Sequence, residues 1–384
     1  MKYVVLVPLV VCILMICAND GFATGLQLNL GPEEFVEANG VDIGVGTYSV
    51  PSYVDWNNDG LEDLIIGTGD GKVRVYLNVG TESTPQFSGY FYAKSSNGVD
   101  LFDLYCPPAG CLGCFPRVVY WDADARKDLL AGHGNGTIKI FLNIGTDESP
   151  TFDGGTLLQI GQPGLKTNID VGDRATPCIV DWNNDGKKDL VVGALDGKLH
   201  IFINEGTDTE PNFLAEIFAQ ASDSPLVVPS SRSSPDILDL DGDSKKDLLT
   251  GNTNGELLFY SNVATDIAPA FSDYVRVDSN GVQIDLGGTP RSRPFVCDWT
   301  GDGYLDVLIG VYDGKVHLYR SMPPGDMDKD YDVDFIDFAL FAGYWQESDC
   351  GKCGGANLTG SDGNVDVNDL QQFTENWLAG ISAP

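Results

Sequence analysis

Ten residues, DWNNDGKKDL at positions 181–190, are written into this chain five times, and that recurrence limits its fold more than any other feature. Oxygen-bearing side chains stand at alternate positions, Asp181, Asn183 and Asp185, followed by Gly186 and a closing Asp189. On a tight turn such residues point inward together, and the glycine lets the backbone fold back on itself. A calcium ion asks for roughly six to eight hard oxygens. Asp181, Asn183, Asp185, Asp189 and the carbonyl of Lys187 offer much of that set, so the turn reads as a calcium loop. A single Asp/Asn/Gly cluster is more often a solvated turn. Recurrence in one register argues otherwise.

The first copy offers Asp55, Asn57, Asp59, the Leu61 carbonyl and Asp63. The fourth offers Asp239, Asp241, Asp243, the Lys245 carbonyl and Asp247, with Ser244 at the glycine position. The fifth offers Asp298, Thr300, Asp302, the Tyr304 carbonyl and Asp306. The second is damaged: Tyr120 replaces the first aspartate and Ala125 the glycine, leaving Asp122, Asp124 and Asp128, so weak binding or none is expected there. Each loop resembles the first half of an EF-hand loop, with an aspartate at the ninth position in place of the distal glutamate.

The net charge of −33 over 384 residues opposes unaided nucleic-acid binding, which requires a basic surface. Much of the excess lies in the repeated loops, where bound cations would relieve self-repulsion. Residues 1–23 read as a secretory signal: Lys2, an apolar run from Val4 to Ile16, and a small-residue cleavage site at Gly21-Phe22-Ala23. The run is short for a membrane span, and no later segment suits one, so a secreted or cell-surface protein is expected. Export permits disulfides. Cys106, Cys111 and Cys114 crowd one loop, and Cys350-x-x-Cys353 reads as a short bridge or a redox pair.

A proline precedes every loop, at 51, 116, 177, 235 and 294, giving intervals of 65, 61, 58 and 59 residues. That period, filled with short apolar segments, predicts propeller blades of four strands. In the third unit the strands are expected at Cys178–Trp182, Leu190–Ala194, Lys198–Asn204 and Phe213–Phe218; in the first, the outer strand is expected at Phe87–Tyr92. The fifth unit stops at Ser321 without an outer strand, and Glu34–Ala38, just before an Asn-Gly-Val segment repeated at 97 and 280, is expected to supply it. The expected fold is therefore all-β: a five-bladed β-propeller over 30–322, closed by an N-terminal strand. These units resemble FG-GAP/VCBS-type repeats, the calcium-loop repeats also found in integrin α-chains, over about 34–322. That resemblance implies loops joining the two inner strands of each blade, with calcium as a structural cofactor. Integrin-like propellers have seven blades, so their ligand face does not transfer.

After Pro323-Pro324-Gly325 the pattern turns helical. Asp337-Phe338, Phe341 and Trp345 recur 32 residues on as Asp369-Leu370, Phe373 and Trp377, each set on one helical face. Residues 324–381 resemble a dockerin type I domain of the kind ending Asn376-Trp377-Leu378 in planctomycete-type secreted proteins. The resemblance implies calcium at Asp326, Asp328, Asp330, Asp332, Asp334 and Asp337, with Tyr331 at the usual glycine. A poorer second loop holds Asn357, Thr359, Asp362, Asp366 and Asp369, with Ser361 as an insertion. It also implies a cohesin-like partner or, equally, a tail that only anchors the protein.

Trp56, Trp121, Trp182 and Trp299 follow the first loop position; packing between blades is expected, and a sugar-stacking row is the sharper alternative. Arg174, Arg232 and Arg291 each stand three residues before the marker proline, where Tyr48 and Gly113 hold the other two places. They belong at the channel mouth opposite the metal loops. There they bind a carboxylate or sulfate, as on an acidic polysaccharide, or, the preferred reading, each pairs with an aspartate of a neighbouring turn. His133, His200 and His317 are scattered, and no nucleophile elbow, zinc motif or phosphate loop is present. Asp170 and Asp236 are unpatterned. Two functions follow. One is a secreted calcium-binding module for glycan or protein without catalysis; the other is a glycoside hydrolase or lyase with its site at the channel mouth.

Overall fold

The computed structural model describes residues 26, 28–101, 113–122, 124–222, 224–288, 290–359 and 363–380. The expected signal segment, Cys106, Cys111 and Asp362 lie outside the described residues.

Five four-stranded antiparallel sheets, I to V, follow the sequence repeat. Their innermost strands are Val50–Val54, Cys114–Val119, Thr176–Val180, Ser234–Leu238 and Arg293–Cys297. The marker proline is an early residue of each, a place open to proline because the strand is a sheet edge and needs no donor on its free side. The loop leads to a second strand (Asp63–Gly67, Asp128–His133, Asp189–Gly193, Asp247–Gly251, Asp306–Gly310), buried along its whole length. A tight turn then gives the third strand, for example Leu199–Phe202 in sheet III.

The outermost strands are shorter than expected: Phe91–Tyr92, Thr156–Leu157, Ile217–Phe218 and Val275–Arg276. The expected outer strands at Phe87–Tyr92 and Phe213–Phe218 are corrected to their last two residues. Their first phenylalanines do different work. Phe87, Phe152, Phe213 and Phe271 form single bridges to Asn78, Asn143, Asn204 and Asn262 and are buried between sheets. Their rings meet the tryptophan of the preceding sheet, Phe152 at 5.6 Å from Trp56 and Phe271 at 6.2 Å from Trp182. Hydrophobic burial there outweighs continuation of a strand.

Glu34–Phe35 pairs with Val316–Tyr319 as the fourth strand of sheet V, with Glu34 opposite Leu318. The expected segment Glu34–Ala38 divides: Glu37–Ala38 turns away to pair with Val41–Asp42 across Asn39-Gly40, both at positive φ. Five hydrophobic clusters fill the spaces between sheets I and II, II and III, III and IV, IV and V, and V and I. The order is cyclic. Each sheet stays a separate hydrogen-bonded unit.

One glycine per sheet makes the close approach possible. A Cβ on Gly67 would lie 2.1 Å from the Cys114 carbonyl, on Gly193 2.4 Å from that of Ser233, and on Gly310 2.3 Å from that of Ser49. Gly132 and Gly251 meet Ala175 and Ser292 in the same way. Each falls four residues after the closing aspartate.

The tail has two nine-residue helices, Phe335–Gly343 and Val367–Glu375. Each starts from an aspartate N-cap, Asp334 or Asp366, completed by Asp337 or Asp369 as a reciprocal capping box. Phe341 and Phe373 meet at 5.1 Å in a small core of its own, and Cys350–Cys353, joined by a disulfide, flanks it. The bond fits both readings of Cys350-x-x-Cys353, since the oxidised form of a redox pair is the same disulfide.

Candidate functional site: acidic turns and an arginine cluster

The closing aspartate of every loop is buried and binds the same two amides. Asp63 Oδ2 accepts from Trp56 N at 2.9 Å and its Oδ1 from Asn78 N at 2.7 Å. Asp128, Asp189, Asp247 and Asp306 repeat this with Trp121 and Asn143, Trp182 and Asn204, Leu240 and Asn262, and Trp299 and Ser321. This side chain ties the loop entrance to the end of the third strand, a structural use beside its reading as a ligand. Burial pushes the carboxyls up, to about 6 for Asp63, Asp128 and Asp247 and about 7 for Asp306.

At the loop tips the first aspartate receives backbone donors. Asp181 accepts from Asp185 N at 3.0 Å and Gly186 N at 2.8 Å, and Asp185 accepts from Lys187 N at 3.0 Å. Asp55 and Asp59 repeat the pattern, with Asn57 accepting from Asp59 N, as do Asp298 and Asp302. These bonds leave further lone pairs on each oxygen. In sheet IV, Asp239, Asp241 and Asp247 bring one carboxylate oxygen each within 4.8 Å of one another, a donor set that suits a hard cation.

In the loop of sheet II the residue at the seventh position is an arginine that pairs with the aspartate at the fifth. Arg126 Nε donates to Asp124 Oδ2 at 2.7 Å and its Nη1 to the Gly145 carbonyl at 3.2 Å, the same place that Lys187 and Lys245 take beside Asp185 at 3.4 Å and Asp243 at 2.6 Å in the loops of sheets III and IV. In the tail, Asp326, Asp328 and Asp330 form one carboxylate cluster and Asp332, Asp334 and Asp337 another, each within 4.8 Å. Burial raises Asp326 to about 6. Tyr331 adopts φ 73° at the expected glycine place, and its ring lies 3.7 Å from the Arg320 guanidinium. In the second tail loop Asp369 accepts from Thr359 N at 2.9 Å and Thr359 Oγ1 at 3.0 Å, while Asn357 Nδ2 donates to the Gly351 carbonyl at 2.8 Å.

All four loop tryptophans are at most 7% exposed, as is Leu240, so packing between sheets is their role and the sugar-stacking row is ruled out. His200 and His317 reach Glu216 and Glu33 across to the outermost strands, each at 2.5 Å. Asp236 accepts from Val296 N at 2.7 Å inside the ring of inner strands.

At the other end of the inner strands the arginines do come together, but not in ion pairs with neighbouring aspartates. That preferred expectation is corrected: among the described residues no carboxylate pairs with Arg174, Arg232 or Arg291, and buried nitrogens of Arg174 and Arg232 have no partner. Aromatic rings gather them instead. The Arg291 guanidinium lies 4.9 Å from the Tyr48 ring and 4.8 Å from Tyr312, and its Nη1 donates to Tyr48 Oη. Sequence reasoning missed a fourth member, Arg293, 4% exposed and 5.4 Å from the same Tyr48 ring. The only signal was its place, just before the fifth marker proline. Burial, then the neighbouring arginines, lower Arg232 to about 10 and Arg293 to about 9.

A shared backbone state explains the convergence. Tyr48, Gly113, Arg174, Arg232 and Arg291 occupy one position in the five sheets, and all have positive φ: 56°, 97°, 62°, 60° and 83°. Only the glycine adopts this freely; for the others it costs roughly 1–2 kcal/mol each.

Comparison with known proteins follows this geometry. Residues 181–250 match the FG-GAP-like repeat family. Integrin alpha-4 of Xenopus laevis is 28% identical over 164 residues, covering 39% of this chain and 15% of the integrin. The two findings support an all-β protein of FG-GAP repeats; the chain spans a small part of that relative's length. Among solved structures, BBS1N in complex with ARL6DN shares 13% identity at a TM-score of 0.37 over 75% of this chain and 97% of the other. A Photorhabdus luminescens Tc holotoxin pore shares 16% identity at 0.36 over 71% and 11%. No helix among the described residues is long and apolar enough to cross a membrane.

Proposed function

We propose that this protein is a secreted, calcium-stabilised five-bladed β-propeller that serves as a binding module for carbohydrate or protein, tethered by a dockerin-like tail to a cohesin-like partner. The five-bladed reading is supported by the cyclic order of the five inter-sheet cores and by the Gly310–Ser49 contact between last and first sheets. Calcium is supported by the carboxylate clusters in sheet IV and the tail, and by the same donor spacing in the loops of sheets I, III and V. Bound there, the cation would join a loop's first, third and fifth positions and neutralise part of the −33 charge. The loop of sheet II, with Tyr120 in place of the first aspartate and Ala125 in place of the glycine, binds calcium weakly or not at all. The tail reading draws on its duplicated capped helices and acidic loops; secretion draws on the apolar run at 4–16 and the Cys350–Cys353 bridge.

The observation that carries the binding-module reading is the FG-GAP repeat match on a scaffold whose loop acids bond within their own turns and whose His200 and His317 bond Glu216 and Glu33. Thermal unfolding with calcium and with EDTA tests the cation: each site filled at about 100-fold over its dissociation constant adds about 2.7 kcal/mol, so the chelated protein melts well below the loaded one. An unchanged Tm removes calcium from the account. A glycan array in calcium, run beside a reducing-sugar assay on acidic polysaccharides, tests the module. Binding without product is expected; product release would replace the module with the hydrolase or lyase reading.

A further inference from the structure

We propose that Arg174, Arg232, Arg291 and Arg293 form a receptor for one oxyanion group, carboxylate or sulfate, at the end of an anionic saccharide. This deepens the binding-module reading by assigning it a site and a ligand chemistry. Four guanidiniums share one mouth, three brought there by a strained left-handed backbone position and the fourth buried behind them. Like charges this close repel, and no carboxylate among the described residues makes an ion-pair contact with them, although the Asp173 charge favours Arg174 through space. The four arginines line one small cavity of about 20 Å³, space for one oxygen of an oxyanion group rather than for the whole group. Nη1 of Arg174, and Nε and Nη1 of Arg232, are buried donors with no acceptor. A planar oxyanion supplies what they lack.

The surroundings select the rest of the ligand. Arg291 and Arg293 are held by Tyr48 and by main-chain carbonyls, Arg293 Nη1 donating to those of Arg291 at 3.1 Å and Ser49 at 3.4 Å, so they keep their direction without a ligand. Next to Arg232 in the chain, exposed Ser231 bonds Thr253 and Ser230 bonds Asn254, and Tyr312, stacked by Arg291, keeps part of its ring exposed for a sugar face. The acidic loops sit at the far ends of the same strands. Arg174 and Asp181 are seven residues apart, about 23 Å along an extended strand, beyond the roughly 8 Å screening length of physiological salt. The positive mouth is therefore felt by a small anion despite the protein's overall charge.

Calorimetry of the calcium-loaded full chain with glucuronate, galactose 6-sulfate, inorganic sulfate and neutral glucose tests this, beside the Arg174→Gln/Arg232→Gln double variant. Wild type is expected to bind both charged sugars and not glucose, and the double variant to bind at least about tenfold more weakly. The unliganded variant should melt at or above the wild-type temperature, because repulsion is relieved; arginines with a purely structural role would give a lower Tm. Sulfate binding without charged-sugar binding, no binding of any anion, or affinity unchanged in the variant would each overturn the proposal. The two readings fail separately. A silent glycan array with retained anion binding defeats the module and leaves the anion pocket, whereas an array hit unaffected by the double variant defeats the pocket and leaves the module.

Discussion

At the scale of the residue, one aspartate repeated five times separates structure from metal binding. Asp128 makes the same pair of amide bonds as Asp63 and Asp189, although its loop has lost the first aspartate and the glycine. The bonds, not a metal, keep that side chain where it is. Replacing Asp128 by alanine leaves two buried N–H groups unsatisfied and should cost about 2–4 kcal/mol, equally in calcium and in EDTA. Asp189→Ala should cost the same in EDTA and more in calcium, by denaturant titration. An equal calcium increment at both positions would contradict the division. The alternating acids were legible in the sequence because their spacing is local. The two-amide tie was not, because its second partner lies fifteen residues away on another strand.

At the scale of the element, the sheets meet through a missing side chain. The glycine ending each second strand admits the entering strand of the next sheet, and a Cβ on Gly310 would sit 2.3 Å from the Ser49 carbonyl. Gly310→Ala must push sheets V and I apart, opening the cores on both sides, and should destabilise by more than about 3 kcal/mol or prevent folding. Gly186→Ala is the control. That glycine has φ 83° with nothing within 4 Å of a built Cβ, so only backbone strain of about 1 kcal/mol is expected. Similar losses for the two would mean that the close approach does not hold the sheets together. The recurring glycine stands in plain view four residues past each closing aspartate, yet its reason is the neighbour's backbone, which no single repeat contains. The outer strands were misread for a related cause: Phe87 and Phe213 continue a β pattern locally but are drawn into the space between sheets.

For the whole molecule, charge decides how stability follows pH. Burial raises Asp63, Asp128 and Asp247 to about 6 and Asp306 to about 7, above the 3.8 of an unfolded aspartate. A raised acid binds its proton more tightly folded than unfolded. Its contribution is thus complete below the unfolded value and is lost as pH rises through the folded one. Chelated protein should melt at a higher temperature at pH 5 than at pH 8, helped by the fall in net repulsion. Calcium-loaded protein should show the reverse, because the cation favours the ionised carboxylates and protons displace it. Scanning calorimetry of both forms across that range checks the sign; parallel profiles would argue against metal at these loops.

The sequence by itself determined the number of repeats, the loops, the helical tail and the need for an N-terminal strand, because each is written in spacings of a few residues or in a count left incomplete. Tertiary structure alone decided that the sheets follow one another in cyclic order, that the tryptophans are buried, and that four arginines face one another without acids between them. Those outcomes depend on distances between segments some sixty residues apart. Arg174 and Arg232 look alike in sequence whether they meet an aspartate or each other; only the left-handed turn shared by the five entering strands settles it.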